Sequence, residues 1–217
     1  MELKIEIAGV KLGVVEADGV RVEPCAGECL REVEEVCARL RRELTLDSIA
    51  RLEAVRLVRE MFRGWGVDPL RYRPSSEALL RRVVQGKGLY RISNVVDLNN
   101  LGSCETAWSY GSYDRGQVRA PVALRLGGAG ESYEAIGKQI WSVEGRPILT
   151  DAAGPFGSPI SDSTRTMVTE GSTEILTVVF APAKTAEAKL LLHLERHAER
   201  LTRFAGATAT RTSVIVR

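Results

Sequence analysis

The chain has 217 residues, with 30 Lys plus Arg against 28 Asp plus Glu and a formal net charge of +2. This length supports one core of ordinary size, and the balance of charge excludes a protein that coats nucleic-acid backbone over its whole surface, so any RNA contact must be local. No apolar run approaches the roughly 20 residues needed to cross a bilayer, and the N-terminus MELKIEIAGVKLG lacks the apolar stretch of a signal peptide, so no membrane partner and a cytoplasmic location are expected.

In chain order, apolar residues alternate at Leu3, Ile5 and Ile7 and again at Val10, Leu12 and Val14, with Ala8-Gly9 between them, which predicts a hairpin of half-buried strands. Asp18-Gly19 signals a turn, and Val20 and Val22 predict a further short strand. Leu30, Val33, Val36, Cys37 and Leu40 recur at helical spacing between Gly27 and Leu44. Asp47-Ser48 is positioned to cap a helix running through Ile49, Leu52, Val55 and Val58 toward Phe62, stopped by Gly64 and Gly66. A third helix is predicted from about Ser76 to Val84, capped by a serine after Pro74. Ser93 is a cap for a helix carrying Val95, Val96 and Leu98, although the paired valines fit a strand equally well and propensity leaves both open.

From Gln117 the texture changes to short β-rich runs separated by glycine, which predicts a small sandwich or barrel-like sheet core. Gly127-Gly128-Ala129-Gly130 lacks the Lys-Ser/Thr of a phosphate loop and reads as a turn after half of a hairpin. An amphipathic helix from about Thr185 to Phe204, ended by Gly206, and a strand at Ser213 to Val216 close the chain.

Few residues carry chemistry by type alone. Cys25, Cys29, Cys37 and Cys104 do not form a secreted disulfide pattern and read as reduced thiols. His193 and His197 are four apart on the last helix, without the glutamate of an HExxH site, and read as part of its solvated face. No metal and no cofactor are expected. No GxSxG elbow appears and Cys104 has no nearby histidine, which argues against a covalent mechanism. Trp108, Tyr110 and Tyr113 form a cluster whose expected role is core packing. The loop from Asp151 to Ser163 holds Gly154, Pro155, Gly157 and Pro159, which specify a rigid path that can aim amide N–H groups at an ester; Ser158, Ser161 and Ser163 add hydroxyls. A purely structural crossover is the equal alternative.

Three segments in this order, SSEALLRRVV from Ser75, ISNVVDLNN from Ile92 and DAAGPFGSPISDS from Asp151, resemble the editing (tRNA-binding) domain of the phenylalanyl-tRNA synthetase beta subunit and its free-standing relatives. Ile92, Val95, Val96, Asp97 and Asn100 match that family's I-x-x-V-V-D-x-x-N, Asp114 matches an Asp fourteen residues on, and Gly154, Phe156, Gly157 and Ser161 match its glycine loop. The resemblance covers residues 75–182 and implies removal of a wrongly attached amino acid from tRNA, in a pocket lined by Asn100, Gly154, Phe156 and Gly157, with Asp97, Ser158 and Ser161 as polar support. Two positions depart from the pattern. Gly111 stands where the bacterial synthetase domain has a histidine, and Leu176-Thr177-Val178-Val179 holds no counterpart of its pocket glutamate. Gly111→Ala is therefore expected to be tolerated more readily than changes at Gly157 or Asn100, unless Gly111 itself needs a positive φ angle, and no catalytic residue is assigned.

The expectation is an α+β fold: a β-sandwich-like core of mixed topology over 75–182, flanked by a hairpin and helices in 1–74 and by a helix and strand in 183–217, all in one domain. The expected function is recognition, and hydrolysis at the aminoacyl ester, of misacylated aminoacyl-tRNA or its aminoacyl-adenosine end. The alternative is a noncatalytic amino-acid or RNA-binding module that keeps the pocket. None of the 217 residues reads as adenylation machinery, and the sequence leaves oligomeric state, amino acid and tRNA unassigned.

Overall fold

A computed structural model describes residues 2–217. The elements in order are β1 (Leu3–Ile5), β2 (Val10–Asp18), helices α1 (Gly27–Glu43), α2 (Leu46–Ile49), α3 (Glu53–Gly64), α4 (Ser75–Val84) and α5 (Asn94–Thr106), then β3 (Ser109–Asp114), β4 (Val122–Leu126), β5 (Ser132–Glu134), β6 (Ile140–Ser142), β7 (Pro147–Asp151), β8 (Gly154–Gly157), β9 (Glu174–Pro182), α6 (Glu187–Ala205) and β10 (Ala209–Ile215). They form an α+β fold with two four-stranded sheets, ordered β1-β4-β7-β8 and β10-β2-β9-β3, beside the small β5-β6 pair. The second sheet is antiparallel throughout, whereas β1 joins the first by parallel pairing with β4.

That pairing corrects the N-terminal hairpin. Gly9, at φ +87°, redirects the chain so that β1 and β2 enter different sheets. Val20 and Val22 are buried but form no strand. The helix predicted from Asp47-Ser48 is two helices, broken at Ala50–Leu52, and its first turn is capped by Thr45, whose hydroxyl accepts from Ser48 N while Ser48 Oγ accepts from Thr45 N. Pro74, not a serine, precedes α4 and offers no side-chain cap; instead Ser75 N donates to Pro159 O across the fold. At Ser93 the ambiguity resolves to helix, with its hydroxyl accepting from Val96 N. The turn after β4 leads to a strand that pairs with β6 instead of folding back on β4.

Two buried ion networks hold the helices. Arg59 of α3 grips Glu77 of α4 through two hydrogen bonds of 2.8 and 2.6 Å, and Glu77 is 1% exposed. Arg200 of α6 donates to Glu105 of α5 at 2.5 Å and to Glu32 of α1 at 2.8 Å. Because a stranded buried charge costs about 3–5 kcal/mol, these contacts tie α3 to α4 and α6 to α5 and α1.

The two sheets meet at Tyr113. Its fully buried ring packs edge-on against Phe156 of β8, with centroids 5.0 Å apart, and its hydroxyl donates to Asp162 Oδ1 at 2.8 Å. The ring fits only because two neighbours lack side chains: a Cβ on Gly111 would lie 2.1 Å from the Tyr113 hydroxyl, and one on Gly157 would lie 2.4 Å from it. Gly111 is therefore not the replaceable position expected from the sequence. We predict that Gly111→Ala destabilises the protein by about 1–3 kcal/mol through overpacking, whereas Gly64→Ala, where a Cβ meets nothing within 4 Å, is neutral or stabilising by up to about 1 kcal/mol. Urea denaturation of the two variants checks the contrast.

Candidate functional site

A cavity of about 400 Å³ opens between α4, α5, the edge strand β3 and the loop after β8. The helix α5 presents Val96, Asn99 and Asn100 to it, three residues that the 3.6-residue repeat sets on one side. Strand β3 adds Tyr110 and Ser112, two apart and so on one face. The loop adds Ser158, Ile160, Ser161 and Asp162. Around the mouth stand Tyr90, Ile92, Ile136 and Met167, apolar side chains between 39% and 61% exposed, with Arg73 as a nearby cation. An exposed apolar rim around a polar floor is the usual build of a small-molecule site.

The polar floor is directional. Asn99 Nδ2 donates to Tyr110 O at 3.4 Å, which orients the amide because a carbonyl only accepts, and Asn99 Oδ1 then accepts from Ser112 Oγ at 2.9 Å. Ser112 has one hydrogen to give, so it accepts from Thr177 Oγ1 at 3.0 Å, and Thr177 in turn accepts from His197 Nε2 at 3.2 Å. This order makes His197 the Nε2–H tautomer, and its Nδ1 is the ring atom left buried without a partner among the described residues. Burial, with Arg200 adding to it, pushes the His197 pKa down to about 3, so the ring is neutral at physiological pH. The chain His197 to Thr177 to Ser112 to Asn99 thus ends in the amide of a residue that lines the cavity, and the second Nδ2 hydrogen of Asn99 has no acceptor among the described residues.

Asp162 also lines the cavity and is the one carboxylate among the described lining residues. Its Oδ1 accepts from Tyr113 Oη at 2.8 Å and from Ser158 N at 3.0 Å. Burial raises its pKa to about 6 against the opposing effect of these two donors. Asp162 is half-buried and ionised above that pH. Asn100 is half-buried on the cavity wall, and its amide has no hydrogen-bond partner among the described residues. The site therefore places an anion and oriented donors within one apolar-rimmed cleft.

The residues singled out in the sequence divide. Asn100, Ser158 and Ser161 line the cavity. Asp97 lies behind it, 1% exposed, accepting Ile92 N at 3.0 Å through Oδ1 and so holding the entry to α5; burial raises its pKa, and its Oδ2 has no partner among the described residues. Phe156 is a core side chain, and Gly157 makes room for Tyr113 and borders no ligand space. Gly154, at φ +113°, closes the β7-β8 turn, where Arg165 binds both its carbonyl and the Asp151 carboxylate. The expected amide grip is also absent at the loop: Ser158 N is held by Asp162, and Ile160 N and Ser161 N both donate to Ser158 Oγ, at 3.1 and 2.9 Å. Asp114 caps a turn, accepting Gly116 N and Ser172 Oγ.

His193 and His197 face inward, against Trp108 and Tyr110 with ring centroids 5.4 and 5.8 Å apart, and do not form a solvated face. Among the described residues no group of three or more His, Cys, Asp or Glu side chains converges as a metal site. All four cysteines are free, with their thiol pKa values raised chiefly by burial. Sequence reasoning missed Asn99, Ser112 and Asp162. Asp162 lies inside the quoted glycine loop, and its acidic type was the available signal; for Asn99 and Ser112 the signal exists only once α5 and β3 are placed side by side.

No helix among the described residues is long and apolar enough to cross a membrane. No curated protein matches the chain. Among solved structures it is similar to an N-terminal fragment of the phenylalanyl-tRNA synthetase beta subunit from Pyrococcus horikoshii, at 16% identity and a TM-score of 0.44, over 98% of this chain and 50% of that one. The chain thus spans half the length of that fragment. The model of the B3/4 domain, which is found in the phenylalanyl-tRNA synthetase beta subunit, matches residues 57–210. That stretch holds α4, α5, β3 and the loop after β8, the four walls of the cleft, and the chain belongs to the B3/4 domain family.

Proposed function

We propose that the cleft binds the aminoacyl end of aminoacyl-tRNA and hydrolyses its ester, as an editing module. The observation that carries this reading is the presence of one carboxylate, Asp162, and of the hydrogen-bonded amide of Asn99 in the lining of one apolar-rimmed cavity. An aminoacyl ester presents an ammonium, a carbonyl and a side chain. Asp162 is the partner for the ammonium, Asn99 and Asn100 for the carbonyl, and Ile92, Ile136 and Met167 for an apolar side chain. Water adds to the carbonyl carbon, the acyl C–O bond to the ribose breaks, and the ribose oxygen takes a proton. Asn99 is suited to stabilise the oxyanion formed on the way, because its orientation is paid for in the folded state. The described lining residues include no Cys or His, and the hydroxyls of Ser112 and Ser158 donate to Asn99 Oδ1 and Ser161 O, so the vicinal ribose hydroxyl is the group assigned to orient the water.

Deacylation of a panel of mischarged tRNAs tests this reading. Turnover above the spontaneous rate, fastest for apolar amino acids, is expected; no acceleration for any member would reject the hydrolase. Saturable binding without turnover would favour the noncatalytic module.

Asp162→Asn separates binding from folding. We expect KM to rise about 10- to 100-fold with a smaller change in kcat, since a charged hydrogen bond of about 1.5–3 kcal/mol is lost. For the wild type, kcat/KM should fall as pH drops through about 6, where the carboxylate is protonated. Stability should move the other way. A carboxyl whose folded pKa lies above its unfolded value binds more protons when folded, so its contribution declines as pH rises toward about 6. Asp162→Asn should therefore be at least as stable as wild type at pH 7, by on the order of 2 kcal/mol in denaturant titration.

Thr177→Val interrupts the chain to His197. It should cost about 1–3 kcal/mol of stability by leaving buried polar groups unpaired, and lower kcat as Asn99 loses its fixed orientation. Thr177→Ser, which keeps the hydroxyl, should restore kcat. Equal kcat in the valine and serine variants would refute the orienting role.

A further inference from the structure

The largest of the cavities described, about 660 Å³, lies beside the cleft and plays no part in the chemistry above. It is bounded by α1 from Val33 to Arg41, by Arg82 in the last turn of α4 and by the Gly86–Arg91 segment. Four cations line it, Arg41, Arg82, Lys87 and Arg91, against a single acid, Glu34. Among the described residues only Arg91 pairs with that acid, at 2.7 Å. Arg41, Arg82 and Lys87 have no ion-pair partner among the described residues, so the cavity carries unneutralised positive charge in a chain whose overall balance is nearly neutral.

The two cavities share a wall. Tyr90 lines both, half exposed, with the Arg82 guanidinium stacked 3.9 Å above its ring centroid. Arg91 lines the basic cavity and the next residue, Ile92, lines the cleft. On α4, Ala78 and Leu79 line the cleft while Arg82, one turn on, lines the basic cavity; its Nε is buried without a hydrogen-bond partner among the described residues. Lys87 sits between Gly86 and Gly88, both at positive φ, in a tight turn that sets it at the cavity edge.

We infer that the basic cavity binds the phosphodiester backbone of a single-stranded RNA 3′ end, with Tyr90 as the stacking surface at the junction, so that the terminal nucleoside enters the cleft. This inference rests on the reading of the cleft as an aminoacyl-end site. Unpaired arginines and a lysine match phosphate oxygens, and an exposed aromatic ring backed by a guanidinium is a sequence-tolerant platform for a base. The charge available is enough for two or three phosphates and no more.

Three probes separate the claims: a non-hydrolysable, amide-linked phenylalanyl-adenosine, a 5′-phosphorylated CpCpA trinucleotide, and the same trinucleotide bearing the amide-linked phenylalanyl group. The third should bind about tenfold or more tightly than the first at low salt, with a slope of log affinity against log salt of about −1.4 to −2, the value for two or three phosphates on a single strand. Arg41→Gln with Lys87→Gln, two exposed positions outside the cleft, should remove most of that gain and flatten the slope while leaving phenylalanyl-adenosine affinity unchanged. No gain from the phosphates, or a gain with the same slope in the double variant, would overturn the proposal. If the bare trinucleotide binds and responds to the double variant while phenylalanyl-adenosine does not bind, the phosphate site stands and the aminoacyl reading of the cleft fails. Failure of every probe to bind rejects both.

Discussion

The cleft exists because Tyr113 is buried between two glycines. Its ring occupies the space that side chains at Gly111 and Gly157 would fill, contacts Phe156 on the other sheet, and reaches Asp162 with its hydroxyl. One residue on an edge strand therefore fixes the distance between the sheets and the direction of the only carboxylate among the described lining residues. Burial raises the phenol pKa far above its ordinary value, so it remains a donor, and a donor is what holds Asp162 ionisable near neutrality. Packing and electrostatics at this point are one constraint.

The second wall of the cleft is organised by hydrogen-bond direction. A neutral imidazole, two hydroxyls and an amide run in series from α6 through β9 and β3 to α5, and the donor count at each step permits only one arrangement. Acidification weakens this chain. The folded pKa of His197 is depressed, so the unfolded state binds more protons between about 3 and the ordinary histidine range, and stability is lost as pH falls through that window. Asp162 contributes with the opposite sign over part of the same range. The cleft thus joins a base that must stay neutral to an acid that must stay charged, and both conditions hold above about pH 6.

Much of the fold was legible in the sequence and less of the cleft. Periodicity located α1, α4 and α6, and the glycine-punctuated runs announced the sheets, because those signals are local. The hairpin at Leu3 to Val14 failed because alternation reports that a strand is half-buried and not which strand it meets. The glycine loop was recognised as rigid for the right reason, but its amides close on Ser158 and Asp162, so its rigidity serves packing and the orientation of Asp162. Asn100 was visible through the matched segment. Asn99 was hidden one residue away, since its importance comes from Ser112 and Tyr110, 13 and 11 residues on, and ultimately from His197. Histidines on an amphipathic helix read as solvated until the sheet beneath them is known.

The central claim is that Asp162 and the two asparagines define one recognition site for an aminoacyl end. A crystal structure of the protein with amide-linked phenylalanyl-adenosine tests it most directly. The account predicts the ligand ammonium within hydrogen-bond distance of Asp162, its carbonyl oxygen against the Asn99 or Asn100 amide, and its side chain among Ile92, Ile136 and Met167. A ligand bound outside this cleft, or bound within it with the ammonium turned away from Asp162, would contradict the account.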